Sequence, residues 1–132
     1  MVENDKNLLM NAFNDHFFEF VCDIESVFIN DSSIKRVKSA LLIIKKMNPS
    51  LIIKIWYNYV VLNYEKEIND NNLNFFIEKD YKKDLRYIDS SDSIMKHIDC
   101  LRDPVRNMGK ENQDKSFKYI QNLCLLSKLY SQ

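Results

Sequence analysis

The stretch NPSLIIKIWYNYVVLNY, residues 48–64, is the most apolar part of the chain and contains its only tryptophan, Trp56. An asparagine caps free backbone N–H groups, and a proline suits the first helical position, so Asn48 and Pro49 predict a helix start. The apolar residues that follow have helical spacing: Ile52, Ile55, Trp56, Tyr59 and Val60. We therefore predict a central helix over about 48–64.

A β-strand is the competing interpretation of this stretch, because β-branched and aromatic residues are frequent in strands. A strand, however, would place Lys54 and Asn58 on the same face as Trp56, which makes a poor core face. The helix is therefore favoured, and its end could extend to Ile68.

The composition favours helices throughout the chain. The 132 residues include one glycine and two prolines, so tight hairpins of the Asn-Gly type have no glycine to use. A chain of this length is typical of one domain, here residues 1–132. We predict an all-α fold, a compact single-domain bundle of five to seven helices joined by short polar turns.

Two helices are predicted before the central one. Residues 5–29 carry one apolar stripe, and residues 34–47 form a helix that ends before Pro49, because a proline disfavours helical geometry in the residue that precedes it. The apolar run 40–44 predicts that the second helix is buried at its C-terminal half. The two sets of predicted core residues are Phe13, Phe17, Phe20, Val21, Ile24, Val27 and Phe28, then Ile34, Val37, Leu41 and Ile44.

The second half of the chain shows shorter patterns. Residues 73–85 predict a short helix with a break near Asp80, and residues 94–108 show helical spacing interrupted by Pro104, which either kinks the helix or opens a new one capped by Asp103. Gly109 is placed as a C-terminal stop. A last helix from Asn112 or Gln113 has the predicted inner face Phe117, Ile120, Leu123, Cys124 and Ser127.

Catalytic and ligand motifs are not evident. The single glycine excludes a P-loop, a dinucleotide fingerprint and a G-x-S-x-G elbow. The acidic residues of 78–84 alternate with lysines, as on a solvated face, and His97 with Cys100 supplies two metal ligands where a zinc site needs three or four. We expect no enzyme activity, no cofactor, no metal and no small-molecule ligand.

The cysteines and the hydropathy bear on location. Cys22, Cys100 and Cys124 form an odd, scattered set with apolar neighbours, which predicts reduced, buried thiols inside a cell. No run of 18 apolar residues predicts a membrane span, and the polar N-terminus is unlike a targeting peptide. We expect an intracellular protein that is neither secreted nor membrane-bound.

The charge is zero overall but is unevenly distributed. Residues 1–31 contain seven acidic residues and one basic residue, whereas residues 32–64 contain six basic residues and no acidic one. This asymmetry is the clearest signal outside the core. It predicts that the acidic and basic segments neutralise each other, either within one chain or between copies.

Two surface functions remain open. The first is contact with a protein partner, including self-association as a homo-oligomer, with Tyr119, Leu126 and Tyr130 as an exposed contact surface on the last helix. The alternative is nucleic-acid binding by the basic region 35–54, where a phosphate-facing patch would lie beside a stacking ring. The residues of that patch are Lys35, Arg36, Lys38, Lys45, Lys46 and Tyr57.

Five phrases along the chain, taken together, resemble a family of small helical proteins encoded by giant nucleocytoplasmic large DNA viruses of algae and amoebae. They are Phe13-Asn14-x-x-Phe17, Asn48-Pro49 followed by Trp56, NFFIEKDYKKDL (74–85), IDCLRDPVRNM (98–108) and KYIQNLCLLSKLY (118–130). The resemblance implies a viral accessory or structural protein located in the host cytoplasm, in the virus factory, or in the virion. It implies no activity, cofactor or catalytic residue.

Overall fold

The computed structural model describes residues 3–70, 72 and 92–132, which form helices joined by short turns, with no strand among them. The predicted all-α fold is therefore confirmed. The short helix predicted over 73–85 lies outside the described residues, as do Glu78, Asp80 and Asp84. The elements in chain order are α1 (Glu3–Val27), α2 (Ser32–Met47), α3 (Leu51–Trp56), a π-helical turn (Tyr57–Val61), α4 (Leu62–Asn69), α5 (Asp92–Asp99), α6 (Arg102–Arg106) and α7 (Lys110–Tyr130).

The central helix is continuous from α3 through the π-helical turn to α4. It begins at Leu51 and not at Asn48, because Asn48 ends α2 by donating its backbone N–H to the Ile44 carbonyl at 2.9 Å. The N-cap of α3 is Ser50, which makes no side-chain cap hydrogen bond; the Asn48 Oδ1 accepts from the Ser50 backbone N–H at 3.3 Å in the turn before the helix, so Asn48 is not the predicted helix cap. At its other end the helix extends to Asn69, as its continuation to Ile68 predicted.

The central helix contains a π-helical turn and buries residues on more than one side. The Leu62 N–H donates to the Tyr57 carbonyl five residues earlier, and this wider turn rotates the residues that follow. Ile53 and Val61 are buried in addition to the predicted Ile52 and Val60. The sequence prediction assumed a single buried stripe at 3.6-residue spacing, and Ile53 and Val61 lie outside that stripe. A helix that is covered on more than one side buries such residues as well.

Trp56 lies at the centre of an aromatic cluster. Its ring meets those of Phe13 and Phe17 edge-on, with centroids 6.2 and 6.1 Å away, which is a favourable arrangement for ring quadrupoles. Its Nε1 donates a 3.4 Å hydrogen bond to the Sγ of buried Cys124. The indole therefore connects the central helix to both α1 and α7.

The long helices α1 and α7 pack against each other along their apolar faces. Five residues of the predicted α1 stripe are 3% exposed or less, and all five predicted inner residues of α7 are buried. Phe20 stacks on Tyr119 with centroids 5.4 Å apart, and Lys115 Nζ lies 3.0 Å from Asp23 Oδ1. Val27 was wrongly placed in the stripe: it is 37% exposed, because α1 ends there.

A buried polar residue fixes the corner between α2 and α3. Asn14 on α1 is 1% exposed, and its Nδ2 donates a 2.9 Å hydrogen bond to the Pro49 carbonyl. That carbonyl lies in the turn between two helices, where it has no partner within a helix. The hydrogen bond therefore attaches α1 to the corner at which the chain enters the central helix.

The region 94–108 keeps its predicted core but not its predicted boundaries. Ile94, Ile98, Leu101, Val105 and Met108 are all buried, as expected. The helix ends at Asp99 and α6 starts at Arg102, so Pro104 neither kinks a continuous helix nor takes the first helical position. It takes the third position of α6. Backbone N–H groups in the first turn of a helix have no acceptor within that helix, so the absence of an N–H on proline removes no helical hydrogen bond there.

The start of α7 also differs from the prediction. The helix begins at Lys110, two or three residues before the predicted Asn112 or Gln113. Gly109 has extended geometry, with φ −65° and ψ 162°, and directly precedes α7, so it is not the left-handed helix stop that we expected. The end of α6 is satisfied instead by Gln113, whose Nε2 donates to the Val105 and Arg106 carbonyls at 3.2 and 3.0 Å.

Replacement of Phe17 tests the aromatic cluster. We expect Phe17→Ala to lower the free energy of unfolding by about 3–5 kcal/mol, because it removes a fully buried ring and leaves a cavity beside Trp56. Urea denaturation followed by tryptophan fluorescence measures the change. The control is Leu125→Ala on the exposed side of α7, which should change stability by less than about 0.5 kcal/mol. Equal effects of the two variants would contradict this description of the core.

Candidate interaction surface

The described residues do not bring together a metal site. Among residues 3–70, 72 and 92–132, no group of three or more His, Cys, Asp or Glu side chains is arranged to hold an ion. His97 is half-buried and Cys100 is exposed. His16 is likewise half-buried, with its ring 4.7 Å from that of Tyr119 and its Nδ1 3.6 Å from Glu19 Oε2.

The three thiols have different environments. Cys124 is buried, as predicted, and burial raises its pKa to about 12 despite the hydrogen bond from Trp56. The prediction of burial is wrong for Cys22 and Cys100, which are both exposed. Apolar neighbours in sequence did not imply burial, since Cys22 lies on the outer side of α1 and Cys100 follows the last turn of α5.

A cavity of about 410 Å³ lies between the α1–α2 turn and the α5–α6 region. Its two carboxylates already have partners. Asp31 caps α2 by accepting from the backbone N–H and hydroxyl of Ser33, and these hydrogen bonds hold the pKa of Asp31 below its usual value. Asp103 lies 3.1 Å from the Arg106 guanidinium. Neither carboxylate is therefore free to act as a catalytic group. The cavity is lined by Phe28, Asp31, Ser33, Ile34, Val37, Cys100, Asp103, Pro104 and Asn107.

The predicted phosphate patch is not assembled as a unit. Lys38 Nζ lies 3.2 Å from Glu25 Oε1, and the hydrogen bond to this carboxylate raises the pKa of Lys38. Lys45 Nζ lies over the Phe18 ring, 5.4 Å from its centroid. Tyr57 is half-buried and packs against the core, so its ring is not a free stacking surface. Three of the six predicted residues are therefore engaged within the chain.

The other three predicted cations share a face of α2 with apolar residues. We define the α2 outer face as the exposed residues Lys35, Arg36, Ser39, Leu42, Ile43, Lys46 and Met47. They recur at spacings of three and four residues, which places them on one side of the helix. Among the described residues, no carboxylate forms an ion pair with Lys35, Arg36 or Lys46.

The apolar members of this face correct the prediction that the C-terminal half of α2 is buried. Leu42 is 41% exposed, Ile43 60% and Met47 82%, whereas Leu41 is fully buried. The apolar run 40–44 is longer than one buried stripe requires, because the core covers only one side of α2. Isolated exposed apolar residues are common, but three on one helix face form a patch.

Tyr119, Leu126 and Tyr130 are less exposed than expected. All three are partly buried against the core. Tyr119 stacks on Phe20 and lies beside His16, and Tyr130 has the Lys6 ammonium 5.5 Å above its ring. The exposed leucine of α7 is Leu125, which periodicity alone did not distinguish from Leu126. The interface proposed for these residues stays a prediction.

The acidic and basic segments neutralise each other only in part within the chain. Glu25 and Lys38 join α1 to α2, whereas Asp23 pairs with Lys115 on α7. Asp5, Asp15 and Glu19 are exposed on α1, and the cations of the α2 outer face are exposed on α2. Both charged surfaces therefore remain largely open to solvent.

No protein-family model, curated protein or solved structure matches this chain. None of the helices within residues 3–70 and 92–132 combines the length and apolarity that crossing a bilayer requires.

Differential alkylation tests the three thiol environments. We expect iodoacetamide at pH 8 to modify Cys22 and Cys100 in the native protein and to leave Cys124 unmodified until the chain is unfolded, because the thiolate is the reactive form. Peptide mass spectrometry measures each site. Rapid native alkylation of Cys124 would contradict its burial.

The raised pKa of Cys124 also predicts a pH dependence of stability. The thiol ionises near pH 9.0 in the unfolded chain but only near pH 12 in the folded protein. The free energy of unfolding should therefore be unaffected by Cys124 below pH 9.0 and should fall as the pH rises from 9.0 towards 12.

Proposed function

We propose that this chain is a non-enzymatic protein-interaction module and that the α2 outer face is its contact surface. The observation that carries the proposal is the exposure of Leu42, Ile43 and Met47 between Lys35, Arg36 and Lys46, three exposed cations that form no ion pair with another described residue. Full burial of one such apolar side chain is worth about 1.5–3 kcal/mol relative to exposure. A partner that covers the three apolar residues and supplies carboxylates to the cations satisfies the whole face.

Nucleic-acid binding remains the second candidate and uses the same cations. A phosphate backbone would pair with Lys35, Arg36 and Lys46 but would leave the apolar residues between them in water. The engagement of Lys38 with Glu25 and of Lys45 with Phe18 further reduces the charge available to phosphate. Protein contact is therefore the better use of this surface.

The viral setting is part of the proposal and rests on the resemblance in sequence. A viral accessory or structural protein that acts through protein contacts, in the virus factory or in the virion, is consistent with a surface built for another chain.

Photo-crosslinking in the cells that produce the chain tests the proposal directly. A benzophenone side chain introduced at Ile43 should give covalent adducts with protein upon irradiation, because this position is 60% exposed at the centre of the α2 outer face. The matched control is Leu125, which is 57% exposed on α7. Protease-sensitive adducts at position 43 and none at position 125 are the expected result. No adduct at position 43, or equal adducts at both, would refute the proposal.

Titration with labelled single- and double-stranded oligonucleotides separates the two candidates. At roughly 50 mM salt we expect no saturable binding below about 100 µM, since three cations release few counterions. Fluorescence anisotropy measures the affinity, and an Arg36→Glu/Lys46→Glu variant is the control. Micromolar binding that is lost in this variant and weakens steeply with salt would favour the nucleic-acid candidate.

A further inference from the structure

The relative register of α1 and α2 is fixed by two contacts. The Lys38 ammonium lies 3.2 Å from the Glu25 carboxylate, and Asn14 donates to the Pro49 carbonyl at 2.9 Å. The two contacts are eleven residues apart on each segment, so the helices run antiparallel with matched heights. By this register, Asp15 and Glu19 on α1 lie at the height of residues 44–48, the last turn of α2 and its C-cap.

The exposed side of α1 carries charge opposite to that of the α2 outer face. We define the α1 outer face as the exposed residues Asp5, Leu8, Ala12, Asp15, Glu19, Cys22 and Ser26. They alternate at spacings of three and four residues and lie opposite the buried stripe that contains Phe13, Phe17 and Ile24. This face has three carboxylates and no cation, whereas the α2 outer face has three cations and no carboxylate.

We propose that the α2 outer face is covered by the α1 outer face of a second copy of this chain, in a dimer whose two-fold axis is parallel to both helices. This inference rests on the proposed function and names its partner. Rotation about such an axis exchanges α1 and α2 while conserving height along the axis. Lys46 then lies beside Asp15 and Glu19 of the second copy, and Leu42 and Ile43 lie over Cys22 of the second copy.

Charge selects this axis over the other face-to-face arrangement. A two-fold axis perpendicular to the helices would place α1 on α1 and α2 on α2, and would bring carboxylates against carboxylates and cations against cations. The parallel axis instead pairs each acidic face with a basic one, and it forms the same contact twice. The result is two helix pairs packed face to face, one from each copy, with the apolar patch buried between them.

The size of the surface predicts a reversible dimer. The sixteen residues of α2 are about 24 Å long, and two adjacent helices are about 20 Å wide, so the facing area is roughly 500 Å² per copy. This is below the ~800 Å² per partner of a typical stable complex. We therefore expect dissociation at micromolar concentrations.

Cys22 reports on the dimer without any substitution. We expect its alkylation rate to fall roughly tenfold as the protein concentration rises from about 1 to about 500 µM, because Leu42 and Ile43 of the second copy cover it. Cys100, also exposed but outside both outer faces, is the internal reference and should keep its rate. A concentration-independent rate at Cys22 would overturn the proposal.

Charge reversal tests the pairing of the two faces. Lys46→Glu and Asp15→Lys should each weaken the dimer roughly tenfold in sedimentation equilibrium, because each alters two symmetric contacts, and the double variant should recover to within about threefold of the original. Lys118→Glu on exposed α7 is the matched control and should have no effect. Circular dichroism confirms that each variant folds. Weakening without recovery in the double variant would overturn this geometry.

The outcomes separate this inference from the proposed function. One outcome is that the purified chain stays monomeric and the alkylation rate of Cys22 does not depend on protein concentration, while the benzophenone at position 43 still gives adducts with a different protein. In that case the proposed dimer is wrong and the proposed interaction surface is retained. If position 43 gives no protein adduct either, both proposals fail.

Discussion

The burial of Trp56 against both α1 and α7 is the interaction on which the rest of the structure depends. The indole contacts Phe13 and Phe17 on one side and donates to Cys124 on the other. Because its N–H would be left without a partner in an apolar core, the Cys124 sulfur has to lie within reach, and this fixes the height of α7 along the central helix. One side chain from the middle of the described chain therefore contacts both long helices, which also pack directly against each other.

This central packing also explains why α2 keeps an exposed apolar patch. The central helix is covered by α1 and α7, and α2 contributes only Ile34, Val37 and Leu41 to the buried core. The hydrogen bond from Asn14 to the Pro49 carbonyl holds the turn that follows α2 against α1. On the side of α2 away from that stripe, Leu42, Ile43 and Met47 stay 41–82% exposed. A helix with apolar residues on both sides buries one side within the fold and leaves the other for a partner.

The charge distribution acquires a different meaning in three dimensions. Along the sequence, the acidic residues 1–31 and the basic residues 32–64 suggest one simple pairing between neighbouring segments. In the structure, a single ion pair joins α1 and α2 among the described residues, and Asp23 instead pairs with Lys115 far along the chain. What remains is two outward faces of opposite sign on adjacent antiparallel helices, an arrangement suited to a two-fold contact.

The sequence by itself determined the all-α class, the main helices and most of the core, because apolar spacing is a local property that survives folding: Phe13, Phe17, Ile34, Leu41, Ile120 and Leu123 were all predicted and are all buried. It did not determine which side of a broadly apolar helix is covered, so Leu42 and Ile43 were expected inside and lie outside, while Tyr119 and Tyr130 were expected outside and pack inward. Nor did spacing reveal the π-helical turn or the engagement of Lys38 and Lys45. Only the tertiary structure decided these points, since each depends on which neighbour occupies the space beside a residue, and that neighbour comes from a distant part of the chain.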